Sequence, residues 1–418
     1  MSIGSDSAEE QPNLKSPSLV NMELLRQFLS KNDVQFIIVQ WLDYLGTIRT
    51  RGFTIKAFTG LVRDRSRISI SMGNLGTLQN DHMSPVCDPV GQISVEPDLH
   101  TLRLLETTIP GTSSVMESKT ATVMARFLDN AGEPFPLCPR GELQRVTDLF
   151  AKNYLTKILV GFEIEITFCK RVDSEHGMNE EYSFAPMDDQ HSWGSFTDQQ
   201  ALQSYPFITG IVMALQNLGI EVLQFHSEAG AGQYEFVLPP LPPVQAVDTL
   251  IQARQCIQLI AASRGFRATC YPTPFPGVGT AAHAHISFNN PSDMETSDRN
   301  ERGMSIIGAI LEHLPSLCAF TMPQAVSYGR VVDDGWTGGT WVAWGSQNRE
   351  VPLRLVSEGG TAASRWEIRC LDGMANMYLA LAAILGVGLM GRKNGTEMTM
   401  KNCPSTPARP DLSTSFSG

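Results

Sequence analysis

Two apolar periods alternate along the chain and place its elements. Residues 21–31, NMELLRQFLSK, carry apolar side chains at helical spacing behind Asn21 as an N-cap. Val34 to Trp41 is then a β-branched and aromatic run broken by Asp43 to Gly46, so a short helix feeds a strand and a turn. From Ile48 to about Glu133 the chain is punctuated by Gly and Pro between short β-like runs (RISISM, GQISVE, TATVMARFL). This predicts a small sheet-rich domain that closes at the loop Asn130 to Pro139. Beyond it, Leu143, Val146, Leu149 and Phe150 mark one face of a helix over Arg140 to Tyr154, followed by a strand over Ile158 to Phe168. The helix-then-strand rhythm recurs through Pro206 to Leu218 and Val222 to Phe225, and through Val244 to Ser263 and Ala281 to Phe288. The pattern predicts an α+β domain on a mostly antiparallel sheet with helices on one side. The expected organisation is a disordered tail over 1–20, the sheet-rich domain over 21–133, the larger domain over 137–395 and a flexible tail over 396–418.

The strand Ile158 to Phe168 changes the picture from fold to chemistry. A period of two sends Gly161, Glu163, Glu165 and Thr167 to one face and Phe162, Ile164, Ile166 and Phe168 to the other, so two carboxylates stand side by side on a sheet. Like charges so placed repel unless a cation or water neutralises them. Three further segments repeat the pattern: Glu228 with Gln233 and Glu235, then His283, His285 and Ser287, then Arg365, Glu367 and Arg369. A solvated polar face accounts for any one of them. Together they give one sheet face five glutamates, two histidines and two arginines, too dense a grouping for ordinary surface.

Composition narrows the chemistry. The 418 residues hold 32 Lys and Arg against 43 Asp and Glu, a formal charge of −11. The broad electrostatic attraction needed for non-specific nucleic-acid or anionic-membrane binding is missing, and neither partner is expected. The uncharged stretch Gly373 to Gly391 approaches membrane-spanning length, but Asn376 and four glycines interrupt it, and it is expected to form a buried helix. The polar, acidic opening MSIGSDSAEE lacks a signal-peptide core, which points to a cytoplasmic protein. Eight cysteines without a CxxC pair predict buried thiols. Carboxylates with few imidazoles favour a hard ion, Mg²⁺ or Mn²⁺, over zinc. Arg330, Arg349, Arg354 and Arg369 would supply forked donors to phosphate or carboxylate oxygens, so metal-assisted phosphoryl transfer is the class indicated. The GxGxxA match at Gly277 to Ala282 follows a proline-rich loop and enters a strand, which excludes a dinucleotide fingerprint.

These segments, in order, resemble the glutamine synthetase family from about Val34 to Arg392. Val160 to Glu165 is similar to its GxExE strand, and Glu228 with Gly232 to Glu235 to its HE…GQxE segment. Gly279 to Ser287 resembles GSGxHxHxS, and Ser327 to Arg330 resembles SYxR. Asn348 to Arg354 and Arg365 to Leu379 resemble the NR…R and RxExR…NPYL blocks. The chain looks most like the divergent synthetase-like proteins of fungi. The resemblance implies an N-terminal β-grasp domain, a catalytic domain with a curved antiparallel sheet, and an ATP-dependent ligase joining a small carboxylate, glutamate or an analogue, to an amine through an acyl phosphate. It implies that Glu165, Glu228 and Glu235 hold one metal and that Glu163, His283 and Glu367 hold the other. His285 and Ser287 would lie along ATP, Arg349 and Arg354 would meet its phosphates, and Arg330, Arg369 and Gly279 would contact the acid. Asp43 would act on the amine across a subunit boundary, implying a homo-oligomeric ring with active sites at subunit interfaces.

Three departures bear on substrate and activity. The family's Asn-Gly pair reads Val278-Gly279, and Thr337 aligns best with the glutamate of the closing flap. The chain also stops soon after Arg392, where family members continue. A site rebuilt for a larger or less polar amine is expected, walled by Trp336, Trp341 and Trp344. A plain glutamine synthetase and a catalytically silent, structural or regulatory assembly protein are the alternatives.

Overall fold

The computed structural model describes residues 17–78, 80, 82–85, 87, 89–105, 118–173, 182–194, 199–289, 296–357 and 364–405. Helix α1 (Pro17–Asn32) leads into β1 (Phe36–Leu42) and β2 (Ile48–Thr54), followed by α2 (Ile55–Asp64), β3 (Ile68–Ser71), β4 (Gln92–Pro97), β5 (Arg103–Leu104) and β6 (Thr120–Leu128). The strands form one sheet in the order β2-β1-β6-β4-β3, with β5 also on β6; β1 and β6 run parallel. Its apolar face, including Ile37, Val39, Trp41, Val95, Val123 and Phe127, makes a core with Leu25 and Phe58 of the two helices. Helix α1 starts at Pro17, so Asn21 is an interior residue rather than the expected cap. Proline suits a first helical turn, where its missing N–H costs no bond. Residues 17–20 therefore lie in a helix and not in the expected tail; 1–16 fall outside the described residues.

The second sheet follows α3 (Pro139–Tyr154). Its hub is β7 (Lys157–Asp173), joined by β8 (Tyr182–Pro186), β9 (Gln224–Ser227), β10 (Gln233–Val237), β11 (Phe266–Thr269), β12 (Ala284–Asn289), β13 (Trp344–Ser346), β14 (Leu353–Ser357) and β15 (Ser364–Ile368). The order is β13-β14-β15-β12-β7-β10-β9, with β8 and β11 also on β7, and all pairings except β13–β14 are antiparallel. Phe162, Ile164, Ile166 and Phe168 of β7 enter the apolar core. That core is built from α3, α4 (Gln199–Asn217), α5 (Pro243–Ser263), α6 (Thr296–Glu312), α7 (Leu314–Thr321) and α9 (Met377–Asn394), while the short α8 (Ala325–Arg330) leads into the site. This α+β arrangement is the expected one. The uncharged stretch is the buried helix α9, capped by Asn376, whose side chain accepts from Tyr378 N and Leu379 N, and closed by Gly395 at φ +65°. Among the described residues, no single helix is long and apolar enough to cross a membrane.

Buried charge joins the two parts. Arg140 donates to Asp248 at 3.0 and 2.8 Å and to Asp98 at 2.6 Å, and the Tyr378 hydroxyl donates to Asp248. Beyond Gly395, where a flexible tail is expected, the chain packs down. Cys403 N donates to Trp344 O at 3.0 Å, and Asn348 Nδ2 donates to the carbonyls of Cys403 and Ser405. Cys403 is 2% exposed, so burial of an apolar thiol with its backbone paired fixes this segment. Residues 406–418 lie outside the described residues.

Candidate active site

Strand register builds the site. Arg354 of β14 stands opposite Glu367 of β15, Glu367 opposite His285 of β12, and His285 opposite Gly161 of β7. Four residues further along β7, Glu165 stands opposite Glu235 of β10, and Glu235 opposite His226 of β9. Glu163 lies between these rows on the same face, and its N–H donates to the His283 carbonyl at 3.1 Å. The period of two thus delivers the predicted carboxylates and imidazoles to one place.

Two groups result. In the first, Glu163, His283 and Glu367 each offer a ligand atom within 4.8 Å of the others, the trio expected to hold one ion. In the second, Glu228 and Glu235 are joined in the same way by His226. Glu165, expected there, sits between the groups: its Oε2 accepts from Ala281 N at 2.7 Å and Gln233 Nε2 at 3.2 Å, and its Oε1 is 3.7 Å from His283 Nδ1. His226 was not among the predicted ligands, although the same alternation that puts it on the face of Glu228 signals it. Its Nε2 lies 3.1 Å from Glu235.

The electrostatics call for a cation. Glu165 and Glu235 are both buried and directly opposed. Burial, followed by the charges of Glu228 and Glu235, pushes Glu165 up to about 8. Although burial opposes it, the hydrogen bond that His226 Nε2–H donates to Glu235 raises His226 to about 9. In the other group, His283 and His285 hold Glu163 well below the usual carboxylate range against its own burial. His283 Nε2 is buried without a hydrogen-bond partner. Oxygen ligands with one imidazole in each group suit Mg²⁺ or Mn²⁺, so the residues fit the ions the sequence implies.

The arginines face these acids. Arg369 donates through Nη1 to Glu367 and through Nη2 to the Trp336 carbonyl at 2.6 Å. Arg354 donates to Glu367 at 2.8 Å and to Gln347 at 3.2 Å, and Arg330 donates to the Arg369 carbonyl at 3.2 Å. The Nε atoms of Arg330, Arg354 and Arg369 are buried and without partners. Arg349 is exposed, its guanidinium 5.9 Å from the centre of the Trp336 ring. His285 is tied into the carboxylate group: Arg365 Nε donates to its Nδ1 at 3.1 Å, leaving Nε2–H to donate to Glu163 at 2.8 Å. Ser287 follows on the same face and accepts from Asn289. Gly279 binds Gln233 through its carbonyl, and a Cβ there would come within 3.0 Å of Arg330.

One expectation changes. Trp344 is not part of an open wall: it is buried, packs edge-on to Trp366 at 5.5 Å and donates its indole N–H to Met400, because its strand turns it into the core. Trp336 and Trp341 do remain exposed. Asp43, expected to act across a subunit boundary, is engaged within its own chain. It is fully buried in the β1–β2 turn, where Oδ1 accepts from Leu45 N and Thr47 N and Oδ2 from Arg49 at 2.9 Å. In the segment expected to form the flap, Thr337 binds Val332 and Asp333 binds Thr340, so both are used within the loop.

Comparison with known proteins agrees with this geometry. Residues 136–404 match the profile of the glutamine synthetase catalytic domain. The chain is 39% identical over 385 residues to Protein fluG of Emericella nidulans, covering 91% of this chain and 41% of that protein. It is 30% identical to a glutamine synthetase of Methanocaldococcus jannaschii, covering 90% and 80% of the two chains. It is 29% identical to the gamma-glutamylpolyamine synthetase GlnA3 of Streptomyces coelicolor, covering 77% and 67%. The chain thus spans about two fifths of the fluG protein and 56% of a type-1 glutamine synthetase of Dictyostelium discoideum. A crystal structure of a novel glutamine synthase homolog superposes with a TM-score of 0.72 at 24% identity, covering 89% of this chain and 86% of that one, and shares the fold. With its catalytic profile matched across most of the chain and the acidic rows standing in register, the protein belongs to the glutamine synthetase family.

Proposed function

We propose that the protein is an ATP-dependent carboxylate–amine ligase that forms an amide through an acyl phosphate, with glutamate or a close analogue as the acid. One observation carries the reading: buried carboxylates opposed across strands lie beside three arginines whose buried Nε atoms lack partners. Such a site attracts cations on one side and anionic oxygens on the other. A carboxylate is a poor electrophile. Transfer of the γ-phosphoryl group of ATP to a carboxylate oxygen of the acid releases ADP and makes the carbonyl carbon reactive. The amine nitrogen then bonds to that carbon, the C–O bond to phosphate breaks, and inorganic phosphate and a proton leave.

The chain's own groups divide this work. Glu165, Glu228 and Glu235, with His226, would hold one divalent ion, and Glu163, His283 and Glu367 the other. Bound Mg²⁺ or Mn²⁺ offsets charge on the transferring phosphoryl group. Arg354 and Arg349 would take ATP phosphates, and His285 and Ser287 would lie along the nucleotide. Arg330 and Arg369 would fix the acid's carboxylate. At the acid's head group, Val278 replaces a polar side chain and sits directly over Gly230, where an added Cβ would come within 2.3 Å of Val278 Cγ1. An apolar surface there favours an acid, or a mode of holding it, other than that of the polar pair. The exposed Trp336 and Trp341, and a relative named for polyamines, favour an amine larger than ammonia. Asp43 would reach the amine only across a subunit boundary, in a homo-oligomeric ring.

The test is phosphate release from ATP with Mg²⁺ or Mn²⁺, with glutamate against ammonia and a panel of primary amines, and mass detection of the amide. Amine-dependent release by the native chain, lost in Glu163→Ala, is the expected result. Release confined to ammonia would make it a plain glutamine synthetase. A folded, metal-binding protein that gives no release with any acid and amine would refute the reading.

A further inference from the structure

The loop between α8 and β13 rests on an acid that the sequence did not single out. Glu350 is 8% exposed; its Oε1 accepts from Trp336 N at 2.7 Å, whereas its Oε2 is buried and has no hydrogen-bond partner. A buried carboxylate oxygen left without a donor is costly, and such an oxygen next to a site is available to a donor that arrives with a ligand. The carbonyl of the same Trp336 accepts from Arg369 at 2.6 Å. One residue of the loop is thus held by the carboxylate on its N–H and by the acid-binding arginine on its C=O. Gly339 keeps the loop against Glu350, since a Cβ there would meet the Glu350 carbonyl at 2.4 Å.

Other anionic groups on this loop are already engaged or turned outward. Both oxygens of Asp333 accept from Thr340, and Asp334 is exposed. The Trp336 ring carries the Arg349 guanidinium on one face. The guanidinium groups of Arg330 and Arg369, which would hold the acid, repel a protonated amine, and the Glu367 carboxylate is already paired with Arg369 and Arg354.

We propose that Glu350 is the amine-recognition residue of this site, its free Oε2 accepting an N–H of the protonated amine as the amine enters beside Trp336. The inference rests on the ligase reading and names its second substrate as an alkylammonium, with Glu350 determining the preference for cationic over neutral nucleophiles. Through the Trp336 peptide, occupancy of Oε2 is coupled to the arginine that holds the acid.

Glu350→Gln is the discriminating variant, because its amide oxygen still accepts from Trp336 N while the charge is removed. The assay compares methylammonium and putrescine with hydroxylamine, which is neutral at the assay pH, using KM and kcat for each together with KM for ATP and glutamate. Loss of a hydrogen bond to a charged group predicts an increase of about tenfold or more in KM for the two ammonium substrates. Hydroxamate formation and the KM for ATP should stay within about twofold of native. Putrescine should raise the melting temperature of the native protein with ADP and Mg²⁺ and leave that of Glu350→Gln unchanged. Equal KM values in native and variant protein would overturn the role of Glu350 alone. Parallel loss of hydroxamate formation would reduce Glu350 to a prop for the loop and overturn amine recognition. A native protein that forms neither amide nor hydroxamate would overturn the ligase reading and this inference with it.

Discussion

Replacing Glu165 by Gln isolates the strain that makes the site a cation trap. Glu165 Oε2 accepts from Ala281 N and Gln233 Nε2, and an amide oxygen in its place keeps both bonds, so the substitution removes charge with little change of shape. Burial and the charges on Glu228 and Glu235 raise the folded-state value to about 8 from 4.5. The folded protein therefore holds a proton that the unfolded chain has lost. Stability from this group is full below the unfolded value and is lost as pH rises through 8. At roughly 1.4 kcal/mol per unit, the metal-free native protein is expected to lose on the order of 5 kcal/mol across that window through this group. Glu165→Gln has no proton to lose. In denaturant unfolding with EDTA, the variant should match the native protein near the acid end and exceed it by several kcal/mol above pH 8. Saturating Mg²⁺ at about a hundredfold over its Kd adds about 2.7 kcal/mol to the native protein, and the variant, short of one ligand, should gain much less. A variant no more stable than native above pH 8 would refute the electrostatic argument. Equal stabilisation by Mg²⁺ would remove Glu165 from the ion's environment.

Three further outcomes follow from the contacts. Asp248→Ala leaves Arg140 and Tyr378 buried without their shared carboxylate, and should cost about 3–5 kcal/mol in chemical denaturation; a loss under about 1 kcal/mol would show that Asp98 suffices for Arg140. Gly230→Ala drives a Cβ to within 2.3 Å of Val278 Cγ1 and 2.8 Å of Gln233 Oε1 and should cost about 1–3 kcal/mol and raise KM for the acid, with Val278→Ala restoring part of each; no recovery at all would place the cost on Gln233 instead. Ending the chain at Gly395 removes the carbonyl partners of Asn348 and the acceptor of the Trp344 indole. The truncated protein should melt lower and bind ATP more weakly in calorimetry, and unchanged ATP binding would show that this segment does not position Arg349.

What the sequence made legible and what it concealed have one physical cause. A strand's period of two is local, so Glu163 and Glu165, or Glu367 and Arg369, could be assigned to one face from spacing alone. Register between strands is not local. That Glu165 stands opposite Glu235, and not a residue away, depends on the hydrogen bonds of β7 and β10, and this opposition is what distinguishes an ion site from a row of solvated acids. His226 carried the same local signal as Glu228 but lies on a strand of four residues, too short for its alternation to stand out. Glu350 had no periodic signal at all. It lies in an irregular segment, and only the loop folding back to place Trp336 N on one of its oxygens shows that the other is buried and free. Trp344 fails in the opposite sense, since its position beside two exposed tryptophans suggested a shared wall until β13 turned it against Trp366. Asp43 is subtler. Its turn was legible, but Arg49 and two backbone N–H groups already bond its oxygens within one chain, so any amine it meets shares Oδ2 with Arg49. Glu350 offers a buried oxygen without a partner beside the loop that Arg369 holds, and a comparison of Asp43→Asn with Glu350→Gln in the amine-dependent step would show which of the two the nucleophile meets.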